Sequence, residues 1–232
     1  MEDAHTLIIS QTGGGKTVLA SYLLNNNKFK SSENALKILI TDLSEEIKKD
    51  TVPLQYNISK KNITRNLNNK NFERIKKYTM TANNSNDTDE MSKPFEKRIC
   101  YVIVDDLNKL IDVKSANTKK EIEDIKQTKS NLNFIFTEGR HLGIYCIALI
   151  QYYKALPPLI RNNARYHIIT FGSNSIIETL WDHVSGYFDS KEELKKFVYT
   201  ENIDHTSIIF DTHNASRDKK DNIMLCCPPP PI

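Results

Sequence analysis

Two groups of residues carry side chains suited to phosphate chemistry. The first is Ser10-Gln11-Thr12-Gly13-Gly14-Gly15-Lys16-Thr17. Gly13, Gly14 and Gly15 lack Cβ atoms, so the backbone can turn its N–H groups inward as an anion cradle. Lys16 follows directly and can reach the β- and γ-phosphates of a nucleotide. The Thr17 hydroxyl can hold a magnesium ion, with Val18 beside them at the helix start. The second group is Asp105-Asp106, which ends the apolar run Tyr101-Val102-Ile103-Val104. A carboxylate pair at a buried strand end is costly unless a cation or water satisfies it. Asp105 suits the magnesium shell, and Asp106 suits polarising an attacking water.

Each group has a plainer reading. Gly13 to Lys16 can be a glycine turn beside an incidental lysine, and Asp106 can cap a helix. The two together, each on a strand end, favour a nucleotide site. Two positions depart from the usual pattern. Ser10 stands where G-x-x-x-x-G-K-[ST] has a glycine, and a strained backbone there is expected to cost on the order of 1 kcal/mol. Asp106 is one methylene shorter than the glutamate found in many such sites.

These residues need elements to hold them. Thr6–Ser10 reads as a buried strand entering the glycine loop, and Thr17–Leu24 as the helix leaving it, broken by Asn25-Asn26-Asn27. Further strands are expected at Lys37–Asp42, Ile99–Asp106, Ile144–Ile150, Arg165–Phe171 and Thr206–Phe210. Helices are expected at about Thr118–Glu138, Ile176–Val184, where Trp181 faces the core, and Lys191–Tyr199. Residues 79–98 read as a mobile loop by composition. Short apolar strands alternating with helices predict an α/β fold: a mostly parallel central sheet flanked by helices. Residues 1–222 then form a single domain, and 223–232 a proline-rich tail that reads as a loose end.

Bulk properties bound the rest. The chain has 232 residues, 39% hydrophobic and 26% charged, with a net charge of +3. That charge is too small to announce nucleic-acid binding by itself. Cys100, Cys146, Cys226 and Cys227 lack zinc-site spacing, and a reducing compartment is expected. The N-terminus has no signal-peptide pattern, and no apolar run approaches the roughly 20 residues of a membrane span, so a soluble intracellular protein is expected.

The stretch Gly139–Phe171, "GRHLGIYCIALIQYYKALPPLIRNNARYHIITF", places an arginine before a strand, a glutamine at its end, a proline turn, a second arginine and another strand. This arrangement resembles the FtsK/HerA superfamily of DNA-pumping ATPases, and within it the genome-packaging ATPases of large DNA viruses and virophages. The resemblance spans roughly residues 5–172 and is weakest across 43–98. It implies a P-loop NTPase fold of the RecA/FtsK-like kind, ATP and Mg2+ as cofactors, and a homo-oligomeric ring, hexameric or pentameric. It implies sequence-independent action on double-stranded DNA, capsid proteins among the partners, no membrane, and a place in the host cytoplasm, viral factory or virion. Residue by residue, it makes Gln151 the polar sensor of the γ-phosphate and Arg140 the arginine acting in trans, with Arg161 the competing candidate. His141 is expected to be structural, and Pro157-Pro158 a rigid turn. For DNA contact, the basic stretches 59–77 and 115–130 are candidates, each equally readable as a solvated helix face.

Other functions remain open at this stage: a segregation or conjugation motor, a small P-loop kinase, or a nucleotide-gated structural protein. A kinase would need a lid with clustered arginines, which the arginine–strand–glutamine order fits poorly.

Overall fold

The computed structural model describes residues 1–30, 33–41, 58–81, 98–203, 206–214, 216 and 218–228. In chain order, β1 (Thr6–Ile9) leads into α1 (Lys16–Asn25), then β2 (Leu36–Ile40), β3 (Ile63–Thr64) and α2 (Asn69–Thr81). β4 (Cys100–Val104) is followed by the single turn α3 (Leu107–Leu110) and by α4 (Lys119–Phe134). Next are β5 (Ile144–Ile150), α5 (Pro158–Asn163), β6 (Tyr166–Ile169), α6 (Asn174–Val184) and α7 (Lys191–Glu201). The antiparallel strands β7 (Ser207–Asp211) and β8 (Ile223–Cys226) follow.

Among the described residues the strands form one sheet, ordered β3-β2-β4-β5-β1-β6-β7-β8. The pairings from β3 to β6 are parallel, and β7 and β8 pair antiparallel at one edge. Strands β1, β4 and β5 are buried on both faces almost throughout, which is why they read as unbroken apolar runs. One face carries Ile8, Ile103, Ile147 and Leu149 against Leu19 and Leu23 of α1. The other carries Leu7, Val102, Cys146 and Ala148, and its core extends to α2, α4, α6 and α7. Because β1 lies between β5 and β6, its C-terminal end falls where the strand order reverses, the place where open α/β sheets leave a crevice for ligands.

Several expectations shift. Residues 79–81 complete α2 rather than opening a loop, and 82–97 lie outside the described residues, as do Asp42 and 229–232. Ile223–Cys226, read as part of the tail, instead pair with β7, so Thr206–Phe210 is not the final strand. The adjacent prolines hid a strand too short to show a period. The helix expected to run to Glu138 changes hydrogen-bonding pattern. α4 opens with a complete capping box, Thr118 with Glu121, and ends at Phe134, after which Ile135–Gly139 wind as a π-helical turn. Gly139 is required there because a Cβ would sit 2.7 Å from the Ile144 carbonyl oxygen.

Candidate nucleotide site

The glycine loop leaves β1 at Ser10, whose N–H donates to the Ile150 carbonyl of β5 at 3.1 Å. Gly13 and Gly15 hold φ of 78° and 79°, and Gly15 is the N-cap of α1. Both need the left-handed region that glycine reaches without a Cβ clash. Ser10 corrects its expectation. Its φ is not positive, so no backbone strain arises. It is fully buried, and its side chain fills the room that a Cβ on Gly14 would need, 1.8 Å from the Ser10 Oγ. The serine is accommodated because Gly14 is bare. The Thr170 hydroxyl, just beyond β6, donates to the Gly14 carbonyl and pins the loop from the other side.

Lys16 curls back into this loop. Its Nζ donates to the carbonyls of Ser10 at 2.9 Å and Gln11 at 2.8 Å. Burial pulls the ammonium below its usual range, and the charges of Asp106 and Asp105 push it back up. Thr17 and Val18 lie half-buried on the first turn of α1.

The acid pair sits two strands away. Asp105 follows β4 and accepts from the Thr41 hydroxyl at 3.2 Å. Burial raises its carboxyl pKa, the Thr41 hydrogen bond lowers it, neighbouring Asp106 raises it and Lys16 lowers it. Asp106 is one of two non-glycine residues with positive φ among the described residues, at 52°. It stands at the N-cap position of α3 but makes no side-chain cap bond, so its carboxylate does not serve as a helix cap. Instead its Oδ2 accepts from the Gln151 amide at 3.5 Å, while the Gln151 Oε1 accepts from Thr12 at 3.2 Å. One glutamine side chain therefore joins the glycine loop to the acid pair.

Asn108, Thr41 and Thr170 had no signal in the sequence as site residues, and Thr12, though inside the glycine loop, had none for its bond to Gln151. All four contact the site through bonds between distant segments, and short polar residues in turns carry no periodic signal. Asn108 makes three such bonds to the end of β5, at Gln151 and Tyr152.

The arginines lie elsewhere. Arg140 directly follows the π turn and precedes β5, at the N-terminal end of the sheet. With Asp3, His5, Tyr145 and Arg165 it lines a cavity of about 250 Å³. β5 runs from Ile144 to Ile150, six steps of about 3.3 Å, so roughly 20 Å separates its two ends, and Gln151 lies just past the far one. His141 is exposed on the same turn. Arg161, in α5 after Pro157-Pro158, turns inward, with its guanidinium 5.9 Å from the Tyr153 ring. The two basic stretches meet: Arg65 and Asn66 from one, and Asn117 and Lys120 from the other, line a groove of about 520 Å³ with Lys109 of α3. Glu121 and Asp124 also line it.

The residues present fit a magnesium nucleotide. The glycine cradle and the desolvated Lys16 ammonium suit phosphate, and the half-buried Asp105 suits a cation. Thr17 with one carboxylate matches magnesium's habit of taking few protein ligands beside phosphates and water. Among the described residues no group of three or more His, Cys, Asp or Glu side chains could hold a metal ion.

A sequence profile for the family described as Helicase HerA, central domain, matches residues 2–223. The chain belongs to the HerA central-domain family. No curated protein sequence matches it. Among solved structures, the HerA-family domain is similar to the DNA-packaging ATPase B204 from Sulfolobus Turreted Icosahedral Virus, at 17% identity, 97% coverage of both chains and a TM-score of 0.56. The genome-packaging NTPase B204 from Sulfolobus turreted icosahedral virus 2, in complex with AMPPCP, matches at 13% identity, 96% coverage of both chains and a TM-score of 0.53. The pCW3 conjugation coupling protein TcpA, with ATPgS, matches at 18% identity over 78% of this chain and 51% of that one, with a TM-score of 0.50. These likenesses establish the fold: that of HerA/FtsK-type ATPases, a mostly parallel sheet flanked by helices. No helix among the described residues is long and apolar enough to cross a membrane.

Proposed function

We propose that this chain is an Mg2+-dependent ATPase that drives double-stranded DNA into a viral capsid, working as a homo-oligomeric ring, a hexamer in the simplest case. One observation carries the reading. The glycine loop, the acid pair and Gln151 converge on one end of the sheet, while Arg140 sits at the other, out of reach of its own site. An arginine so placed would serve the chemistry of a neighbouring copy.

Within a site, the cradle of Gly13–Gly15 and Lys16 binds and orients the phosphates. Thr17 and Asp105 would hold the magnesium, which when bound neutralises phosphate charge. Asp106 accepts the proton of the attacking water, and Gln151 orients that water through its two-sided amide. Arg140 of the adjoining copy adds a permanent positive charge where the phosphoryl group leaves. The groove bearing Arg65, Lys109 and Lys120 supplies cations for backbone contacts that do not read bases. Host cytoplasm or viral factory is the corresponding place of action, with capsid proteins as further partners.

Packaging is preferred to conjugation because the B204 structures match 97% and 96% of this chain, whereas TcpA matches 78% of it. The steady-state ATPase rate, measured with and without long double-stranded DNA at several protein concentrations, tests the proposal. Stimulation by DNA that rises steeply with concentration is expected. A DNA-independent rate linear in protein would overturn it.

A further inference from the structure

We propose that Asn108 is a positioning residue that sets Gln151 against Asp106 by clamping the end of β5 to the turn that carries the acid. This rests on the ATPase reading above. The Asn108 Oδ1 accepts from the backbone N–H of Gln151 at 3.3 Å and of Tyr152 at 3.1 Å, and its Nδ2 donates to the Tyr152 carbonyl at 3.0 Å. Two N–H donors on one side and a carbonyl on the other fix the amide in one orientation.

Three features make this clamp more than a surface contact. β5 ends at Ile150, so Gln151 and Tyr152 have no strand partner holding them in the sheet register. Asn108 supplies that register from outside the sheet. Secondly, Asn108 lies two residues after Asp106, whose left-handed backbone turns the chain sharply into α3. The acid and the clamp therefore move as one short unit, anchored by the buried Leu107 and Leu110. Thirdly, the Gln151 side chain reaches Asp106 at the long limit of a hydrogen bond, 3.5 Å. A shift of 1 Å in the Gln151 backbone would break that contact, and displacements of this size cost on the order of 100-fold in rate when they misplace a reacting group. Tyr152 is 68% exposed, so its own side chain does little to hold this segment.

The test is a double-mutant cycle on hydrolysis by the full chain with saturating ATP, with nucleotide affinity measured separately by a fluorescent ATP analogue. Asn108→Ala is expected to lower kcat at least tenfold while the analogue Kd stays within about threefold. In a Gln151→Ala background the same substitution is expected to change kcat less than threefold, because its effect passes through Gln151. If Asn108→Ala fails to fold, Asn108→Asp keeps both acceptor bonds and enters the same cycle, with a loss again confined to the Gln151 background. An equal loss in both backgrounds, or a kcat within twofold of the unaltered chain, overturns the positioning role. No turnover by the unaltered chain would instead overturn the ATPase reading, and this inference with it.

Discussion

Ser10 shows how a single position trades with its neighbour. As a departure from the glycine pattern, it promises strain. In the fold its buried side chain occupies the space beside Gly14, and its backbone stays in an ordinary region. The steric demand has moved from position 10 to position 14. Gly14→Ala is therefore expected to weaken nucleotide binding by at least tenfold and to lower the unfolding temperature, since a Cβ and the Ser10 Oγ cannot share that space. Adding Ser10→Gly should restore most of both losses. Nucleotide titration and thermal unfolding of the three variants check this; a double variant no better than Gly14→Ala would show that the clash lies elsewhere. Lys16, Thr17, Asp105 and Asp106 were legible from their types and spacing. Asn108 and Thr12 were not, because their roles depend on contacts with Gln151, 43 and 139 residues away along the chain.

At the scale of elements, two buried histidines tie strands to their surroundings. The His5 Nδ1 accepts from the Cys146 N–H across β1 and β5, and the His167 Nδ1 meets the Tyr153 hydroxyl at 2.6 Å. Burial pushes both down to about 3, helped at His5 by Arg140 and at His167 by His183. Their folded values lie below the unfolded value of about 6.5. The neutral form is thus favoured in the fold, and the unfolded chain binds more protons as pH falls. The contribution to stability is complete above about pH 6.5 and is lost as pH drops toward 3. Each histidine should cost about 2 kcal/mol of stability between pH 7 and pH 5. Urea unfolding across that range should show the slope, and His167→Gln should reduce it. An unchanged slope would mean that His167 is protonated in the fold. The helices α1, α4, α6 and α7 and six of the strands followed from periodicity and apolar runs, whereas α2 and β3 were not read from the sequence. β8 and the π turn did not follow either: one is four residues beside prolines, the other a hydrogen-bond shift that no residue type announces.

For the whole molecule, the separation of Arg140 from Gln151 along β5 is the feature with the widest consequence. In the proposed ring, each chain would be half of two sites. Arg140→Ala is expected to bind ATP normally and to lose hydrolysis by at least 100-fold, and Lys16→Ala to lose binding. Mixed, the two should regain measurable turnover, because an intact loop from one copy then meets an intact arginine from another. ATPase assays over a range of mixing ratios check this, and no recovery at any ratio would remove the trans role. The sequence by itself determined which residues carry charge and which long apolar or periodic segments are strands and helices, because side-chain type and apolar periodicity are local properties. Only the tertiary structure decided which end of the sheet each residue occupies. Strand order, crossover direction and the side chains that clamp one segment to another are set by packing between parts of the chain far apart in sequence.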